Sequence, residues 1–459
     1  MSQTLSHDIL ASLGRNKRAD DLLAFTNGED PVFRTPWRIE RAGSAALGAV
    51  GLAVSDLWRL QTGKPQSVTI DRHAATASLR SNTYVLQNGK KPVSWDPLAG
   101  HYPTRDGRTM FLHTNHPHHR EGALRISGAK EATREALAEA VAKWDGLAIE
   151  QAIADGGCVG GLVRSRAEWN AHPHGAAVAK LPLLDIVKIG EAPARPLPKG
   201  DRPLSGVRVL DLTRVLAGPT SGRVLAENGA DVLHIAAPHL PYQTEILMDT
   251  GHGKRCAWID LREPAGIATL EGLVREADVF TQGYRPGTLA ARGFSPERLA
   301  ELRPGIVCVS ICAYGHEGPW SGRRGFDSIV QNVTGLSATQ GALEKPRNLP
   351  VQALDYICGY LAALGAMVAL ARRVEQGGSW LVRVSLVQVA HWIAGLGLID
   401  GSAGLAELPE AELAGLLMES DGPFGHLRHL KPVIQLSDTP AFYARPAEPL
   451  GSSPARWDS

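Results

Sequence analysis

The stretch Val207-Arg-Val-Leu-Asp-Leu-Thr-Arg-Val-Leu-Ala-Gly-Pro219 predicts a buried strand, a short loop and the start of a helix. Further short apolar runs alternate with amphipathic stretches as far as residue 330. Such alternation indicates an α/β fold, a doubly wound and mostly parallel sheet with helices on both faces. Ligands of such sheets bind beyond the carboxyl ends of the strands. The loops that meet this description are 214–219, 282–286 and 314–318.

A proline-rich linker at residues 193–203 marks the clearest domain boundary. We assign residues 203–395 to a large catalytic domain and residues 101–195, which mix strands with a helix near 133–144, to a smaller α+β domain. Residues 396–459 form a C-terminal tail in this division.

The first hundred residues contain part of an internal repeat. Residues 45–54 (Ala-Ala-Leu-Gly-Ala-Val-Gly-Leu-Ala-Val) resemble residues 362–371 (Ala-Ala-Leu-Gly-Ala-Met-Val-Ala-Leu-Ala), and a glycine turn and a β-branched strand follow each stretch. Two alanine-rich helices can match by chance, but the shared turn and strand favour a duplication. In this alignment Arg38 stands opposite Asp355, so only the second copy has a carboxylate there. We therefore interpret residues 1–100 as a partial repeat.

Composition excludes several classes of protein. The 459 residues predict two or three domains, and 48 basic against 47 acidic residues argue against binding to nucleic acid or a membrane surface. The sequence contains no run of 18 apolar residues, so we expect no membrane span. The first residues lack the pattern of a signal peptide, and the five cysteines are odd in number. We expect a cytoplasmic protein with reduced thiols.

The large domain contains a series of segments in a characteristic order. The segments are Val209-Leu-Asp-Leu-Thr, Ala217-Gly-Pro, Gly229-Ala-Asp-Val-Leu, Gly253-Lys-Arg, Asp260-Leu-Arg-Glu-Pro-Ala-Gly, Ala277-Asp-Val, Arg285-Pro-Gly, Gly325-Phe-Asp-Ser-Ile-Val-Gln and Asp355-Tyr-Ile-Cys-Gly359. This series resembles the family III CoA-transferases, the superfamily of formyl-CoA transferase, carnitine-CoA transferase and α-methylacyl-CoA racemase. Here the small-domain material precedes the large domain, which indicates a fused or rearranged member. The resemblance also implies a homodimer.

Asp355 has two interpretations. The resemblance implies that it is the covalent nucleophile, which attacks a CoA thioester to give a mixed anhydride and then an aspartyl-CoA thioester. A glycine nearby, Gly359, would leave space for that thioester. Asp355 also stands just ahead of a small-residue helix predicted at 359–371, where an aspartate is a common N-cap. A carboxylate at this position is able to serve both purposes.

The CoA contacts also follow from the resemblance. Matching positions are Arg214, Ala217, Lys254, Arg255 and Tyr284. Lys254 and Arg255, predicted in a loop before a strand, suit CoA phosphates as charge-assisted donors, although an ordinary surface pair is an equal alternative. Arg214 can equally form a loop salt bridge, and Tyr284 can equally pack in the core.

The sequence departs from the family at three places. Ala236-Ala237 replaces an acid–arginine pair, Gly283 replaces an asparagine, and the glycine-rich lid is absent. These departures suggest weak CoA binding or contacts supplied by a second chain.

Other chemistries fit less well. His113, His116, His118 and His119 lack the spacing of a metal site and suggest a solvated strand-edge loop, so we expect no metal. No dinucleotide or P-loop motif is present, which argues against a nicotinamide enzyme. We therefore predict transfer of CoA between an acyl-CoA and a small carboxylic acid. The alternatives are a non-catalytic CoA-binding subunit and, less favoured because Phe326 replaces the racemase histidine, an acyl-CoA racemase.

Overall fold

The structure, a computed structural model, describes residues 1–15, 22–28, 31–92 and 95–458. Its strands are β1 Leu23–Thr26, β2 Val68–Asp71, β3 Leu86–Gln87, β4 Gly100–Pro103, β5 Thr109–Leu112, β6 Gly160–Leu162, β7 Asp185–Gly190, β8 Arg208–Leu212, β9 Asp231–Ala236, β10 Lys254–Trp258, β11 Val279–Gln282, β12 Val307–Cys312, β13 Ser379–Ser385, β14 Leu417–Gly422, β15 Gly425–Leu430 and β16 Ile434–Leu436.

Helices separate most of these strands. They are α1 Ser2–Ser12, α2 Ile39–Thr62, α3 Arg72–Ser78, α4 Pro117–Ser127, α5 Arg134–Val141, α6 Gly146–Asp155, α7 Arg166–Ala171, α8 Pro173–Val178, α9 Ala217–Glu227, α10 Thr244–Thr250, α11 Pro264–Val274, α12 Pro296–Leu302, α13 Asp327–Val333, α14 Leu336–Gln340, α15 Ala353–Gln376, α16 Leu386–Gly395 and α17 Glu410–Leu416.

The largest sheet has seven strands in the order β10-β9-β8-β11-β12-β13-β7. All neighbours pair in parallel except β13 and β7, which are antiparallel. The predicted α/β fold with a mostly parallel sheet is therefore confirmed. The strands are almost continuous runs of buried apolar residues because helices cover both faces.

The small domain is built around the antiparallel sheet β4-β5-β6, on which α4, α5 and α6 pack. Its core includes Tyr102, Met110 and Ile149, all almost inaccessible to solvent. Strand β7 lies within the residues predicted for this domain, yet it hydrogen-bonds to β13 of the large sheet. The small domain thus contributes the last strand of the large one.

The internal repeat is visible as two helices of 24 residues each, α2 and α15, which pack on each other. A Cβ placed on Gly51 of α2 would meet Val68 at 2.4 Å and Ile434 at 3.2 Å. A Cβ on Gly365 of α15 would meet Val382 at 2.4 Å and Leu184 at 3.3 Å. These matching contacts place the two copies 314 residues apart, the difference between 365 and 51.

This spacing corrects the alignment predicted from sequence. With an offset of 314, the residue opposite Asp355 is Arg41 and not Arg38. The shift arises because Ala-Ala-Leu-Gly occurs at a different height on each helix, whereas the packing glycines and the C-terminal glycines, Gly63 and Gly377, align. The conclusion that only the second copy has a carboxylate is unchanged.

Helix α15 is long and apolar enough to cross a membrane by length and composition alone. Its apolar window is, however, entirely buried among α2, α9, β12 and β13. We interpret it as the central helix of the core.

Candidate active site

A cleft of about 380 Å³ opens at the carboxyl edge of the large sheet. Leu212, Ala236 and Cys312, the last residues of β8, β9 and β12, line its floor. The start of α4 in the small domain contributes the opposite wall through His116, His118 and His119. The cleft therefore lies where a doubly wound sheet is expected to bind ligands.

Asp355 lies in the wall of this cleft and is only 7% exposed. It is the third residue of α15, which begins at Ala353 with Gln352 as its N-cap. The expectation that Asp355 precedes the helix and caps it is therefore wrong, because the helix starts six residues before Gly359. A carboxylate in the first helical turn still interacts favourably with the helix dipole.

A second carboxylate, Asp327, caps this helix from outside. Its Oδ2 accepts a hydrogen bond of 2.9 Å from the backbone N–H of Asp355, and its Oδ1 accepts one from the side chain of Gln331. Asp327 is the first residue of α13, so two helix starts meet at the cleft. Burial raises the pKa of Asp327 to about 6. Burial, followed by the negative charge of Asp327, raises the pKa of Asp355 well above its ordinary value.

The loop between β8 and α9 borders the same cleft. Arg214 and Ala217 both line it, and the Arg214 guanidinium also donates to the carbonyl of Pro241. Between them Val215 has a φ of +67°, a conformation that is strained for a β-branched residue. Such strain is commonly found at functional sites. It brings Arg214 and the first residue of α9 to the wall of the cleft.

Tyr284 also lies at the cleft, half-buried, and burial raises the pKa of its phenol. Its neighbours are basic. The arginines that line the cleft are Arg214, Arg262, Arg285, Arg292, Arg323 and Arg324. Among the described residues, neither Arg285 nor Arg324 has an ion pair or a hydrogen-bond partner for its guanidinium. Burial, followed by the charges of Arg285 and Arg214, lowers the pKa of Arg324.

The sequence analysis did not predict these arginines as site residues. A signal was present, because Arg285 begins the segment Arg285-Pro-Gly and Arg324 directly precedes Gly325-Phe-Asp. Two unpaired guanidinium groups in a partly enclosed cleft predict an anionic ligand with several oxygens, such as a phosphate. Asp355 stands in the same cleft, so that ligand would meet a buried carboxylate.

Comparisons with known proteins relate part of this chain to a family. The sequence profile of CoA-transferase family III matches residues 204–413, the span that supplies most of the cleft and Asp355. Just under half of the chain is thus similar to CoA-transferase family III. An acetyl-coenzyme A transferase of Hypoxylon pulicicidum is 29% identical over 428 residues, 81% of this chain and 71% of that protein. A succinyl-CoA–D-citramalate CoA-transferase of Chloroflexus aurantiacus is 32% identical over 236 residues, 48% of this chain and 56% of that protein.

The human succinyl-CoA:glutarate CoA-transferase is 30% identical over 199 residues, 40% of this chain and 45% of that protein. A crystal structure of a hypothetical protein from Mycobacterium tuberculosis is 30% identical, with a TM-score of 0.41, and its match covers 43% of this chain and 59% of that one. Apart from the Hypoxylon protein, the chain thus spans about half the length of these relatives.

Two of the positions that the family III resemblance implied do not face the cleft. Lys254 is the first residue of β10 and is 1% exposed. Its Nζ donates to Asp211 at 2.9 Å and to the carbonyl of Pro219 at 2.7 Å. Arg255 points to the other side of the strand, where it pairs with Asp231 at 2.9 Å.

The prediction that Lys254 and Arg255 lie in a loop before the strand is therefore wrong, since the strand begins at Lys254 itself. Although burial opposes it, the Lys254 ammonium holds the pKa of Asp211 well below its ordinary value. The pair stabilises the floor beneath α9, and neither Lys254 nor Arg255 is placed to meet a phosphate in the cleft.

Gly359 has a packing role beside the cleft. A Cβ at this position would lie 2.5 Å from the backbone oxygen of Ala217 and 2.8 Å from Cβ of Thr220. Helices α15 and α9 approach each other closely here, and only glycine permits the contact. Space for a thioester is therefore not needed to explain the glycine.

The histidine cluster is not a solvated loop, as expected from the sequence, because three of its rings pack between the two domains. His113, His116 and His119 are 7% exposed or less, and His113 stacks on Phe326 with 4.3 Å between ring centroids. Burial lowers the pKa of His113 to about 3, that of His116 to about 4 and that of His119 to about 2. These rings are neutral at pH 7. Within the part of the chain that the structure describes, no group of histidine, cysteine or acidic residues could hold a metal ion.

Proposed function

We propose that this chain transfers CoA between carboxylic acids, with Asp355 as the covalent nucleophile. The observation that carries the proposal is the position of Asp355, a buried carboxylate in the wall of a cleft lined with arginines. The match of residues 204–413 to CoA-transferase family III supports it. An acyl-CoA and a small carboxylic acid are the substrates, and CoA is bound as a co-substrate.

The proposed reaction has four balanced steps, beginning with Asp355 in its ionised form. An oxygen of Asp355 attacks the thioester carbonyl, the C–S bond breaks, and a mixed anhydride and CoA thiolate result. The thiolate attacks the Asp355 carbonyl and releases the donor acid as its carboxylate. The acceptor carboxylate then attacks the aspartyl-CoA thioester and expels the thiolate, which finally takes the acceptor acyl group and restores Asp355. No redox change or net proton transfer occurs.

The surroundings of Asp355 suit this role. A buried carboxylate has lost most of its hydration, so it attacks without shedding an ordered water shell. Asp327 holds the first turn of α15 through the N–H of Asp355, which fixes the position of the nucleophile. The negative charge of Asp327 also destabilises ionised Asp355. When an oxygen of Asp355 forms a bond to the carbonyl carbon, Asp355 loses its negative charge and the repulsion is relieved.

CoA is proposed to bind with its phosphates at Arg285 and Arg324, and with Arg214, Ala217 and Tyr284 along its path. Charge-assisted hydrogen bonds from guanidinium groups are stronger than neutral ones and are often bidentate toward phosphate. The unpaired state of Arg285 and Arg324 among the described residues supports this assignment. Lys254 and Arg255 are not included among the CoA contacts, because Lys254 pairs with Asp211 and Arg255 pairs with Asp231.

A non-catalytic CoA-binding subunit was the main alternative. Both walls of the cleft, the arginines and Asp355 come from one chain, so a second chain is not required to assemble them. Turnover by the purified single chain would exclude the alternative. A homodimer stays a prediction, to be tested by light scattering.

The test is covalent trapping. After incubation with acetyl-CoA and butyryl-CoA, mass spectrometry should find an acyl or CoA adduct on the peptide containing Asp355, sensitive to hydroxylamine. Asp355→Asn should lose both the adduct and transfer, whereas Asp438→Asn, an exposed surface position, should keep both. Transfer at the wild-type rate by Asp355→Asn would refute the assignment.

A further inference from the structure

A second, smaller chamber of about 130 Å³ lies beside the cleft. Val215, Phe326 and Asp355 belong to the walls of both spaces, so Asp355 stands at their junction. If CoA occupies the cleft and presents its sulfur to Asp355, the acyl group extends past Asp355 into this chamber. The chemistry of the chamber walls therefore bears on the choice of acid, an inference that rests on the proposed function.

The chamber walls are rich in neutral amides. The amide side chains that line it are Asn82, Asn115, Gln243, Gln331, Asn348 and Gln352. The rings of Trp95 and Phe326 provide apolar surface. The only charged groups in its walls are Asp327 and Asp355, and no lysine or arginine lines it within the described residues.

His113 does not supply the missing cation. Its Nδ1 lies 3.2 Å from the hydroxyl of Ser328, and its ring is stacked on Phe326. Burial lowers the pKa of His113 to about 3, so the ring is neutral at the pH of any ordinary assay. A second carboxylate on the substrate would thus meet neutral donors and two acidic side chains.

Some of the amide groups have hydrogen-bonding capacity to spare. The Asn82 Oδ1 accepts from the hydroxyl of Tyr356 at 3.0 Å, whereas its Nδ2 makes no hydrogen bond to another described residue. The Oε1 of Gln352 is buried and has no hydrogen-bond partner among the described residues. A donor and an acceptor, both neutral, match a carboxamide or a hydroxyl better than an anion.

We propose that this chamber is the acid subsite and that it selects short acids whose far end is uncharged and able to form hydrogen bonds, and rejects dicarboxylates. A carboxylate that leaves water for an enclosed site without a cation loses hydration that neutral amides restore only in part. Repulsion from the Asp327–Asp355 pair adds to that cost.

The test compares two unreactive CoA thioethers of nearly equal size on the wild-type protein, S-(3-carbamoylpropyl)-CoA and S-(3-carboxypropyl)-CoA. Neither can acylate Asp355, so binding is measured without turnover. We expect the carbamoyl compound to bind at least tenfold more tightly in calorimetry at pH 7.5. Gln243→Lys adds a cation to the chamber wall. It should reduce the ratio of the two dissociation constants, that of the carboxy compound over that of the carbamoyl compound, at least tenfold. Gln376→Lys adds the same charge at the exposed end of α15 and should not change it.

The outcomes separate this inference from the proposed function. Equal or tighter binding of the carboxy compound, with an adduct still formed on Asp355, overturns the charge selectivity and leaves CoA transfer intact. If Gln243→Lys leaves the ratio of the two dissociation constants unchanged, the chamber is not the acid subsite. Failure of both thioethers and of CoA itself to bind overturns the proposed function, and this inference with it.

Discussion

Replacing Asp355 by asparagine should abolish transfer and at the same time stabilise the fold. Asparagine has nearly the same shape, and its backbone N–H still donates to Asp327. What it lacks is the negative charge, which in the wild-type protein is buried and faces the carboxylate of Asp327. The wild-type fold therefore carries a repulsion that the variant does not have.

The size of this repulsion can be estimated. At an effective dielectric constant of about 20, two unit charges about 4–6 Å apart repel each other by about 3–4 kcal/mol. The variant loses the favourable interaction of a carboxylate with the helix start, about 0.3–1 kcal/mol. We expect the free energy of unfolding of Asp355→Asn to exceed that of the wild type by about 2–3 kcal/mol at pH 8.

The difference should depend on pH in a definite direction. Because the folded-state pKa of Asp355 lies above its unfolded value of about 3.9, the folded protein binds more protons between those two pKa values. Stability from this group is complete at low pH and is lost as the pH rises. The advantage of the variant should thus be small near pH 4 and grow through the region around pH 6, where Asp327 also ionises.

Urea unfolding at pH 4.5, 6 and 8 measures this difference directly. The variant-minus-wild-type difference isolates Asp355 from other buried acids, such as Glu227, whose pKa is also raised by burial. Asp438→Asn serves as the exposed control. A variant less stable than the wild type at pH 8, or a difference that does not change with pH, would refute the repulsion argument.

Further predictions concern the cleft and the core. Arg285→Ala and Arg324→Ala should each weaken CoA binding by about 1.5–3 kcal/mol in calorimetry, because each removes a charged hydrogen bond to phosphate; unchanged affinity would move the phosphates elsewhere. Lys254→Ala should lower the free energy of unfolding by about 3–5 kcal/mol, because the buried Asp211 loses its ammonium partner and keeps only Thr213 and His234 nearby; a loss below 1 kcal/mol in urea would contradict this. Gly359→Ala should cost about 1–3 kcal/mol, measured by thermal unfolding, because its methyl group meets a backbone oxygen of α9; an unchanged midpoint would contradict it. Thiol titration of the denatured, unreduced protein should find five free thiols, and fewer than four would be contrary to the structure.

Local pattern was enough to predict the large sheet. The strand and the helix start expected within 207–219 are β8, Arg208–Leu212, and the first turn of α9, Ala217–Glu227, because the apolar run and the glycine–proline start are encoded locally. Gly229, just after this helix, has a φ of +106°. The position of the cleft followed from the general rule for such sheets.

Partners that come from distant segments were not predictable in this way. The start of α15 was placed six residues late because its cap, Asp327, belongs to a helix 28 residues earlier in the chain. Lys254 looked like a solvated phosphate ligand because its partner Asp211 is 43 residues away. The histidines looked solvated because the ring they stack on, Phe326, belongs to the other domain. Each error concerns a contact between residues far apart in the sequence. A local sequence pattern does not show which distant residue a side chain will contact.

The repeat explains why this chain has one nucleophile although it has two equivalent helices. Strand β2, after α2, pairs in parallel with β1 and antiparallel with β16, just as β13, after α15, pairs with β12 and β7. The antiparallel strand of each sheet thus comes from the half of the chain that contains the other helix. Each sheet is closed by a strand from the other half of the chain, β16 for the first copy and β7 for the second, although Arg41 occupies the position of Asp355 in the first copy. Both copies contribute to the fold, but only the second has the carboxylate and the arginine-lined cleft.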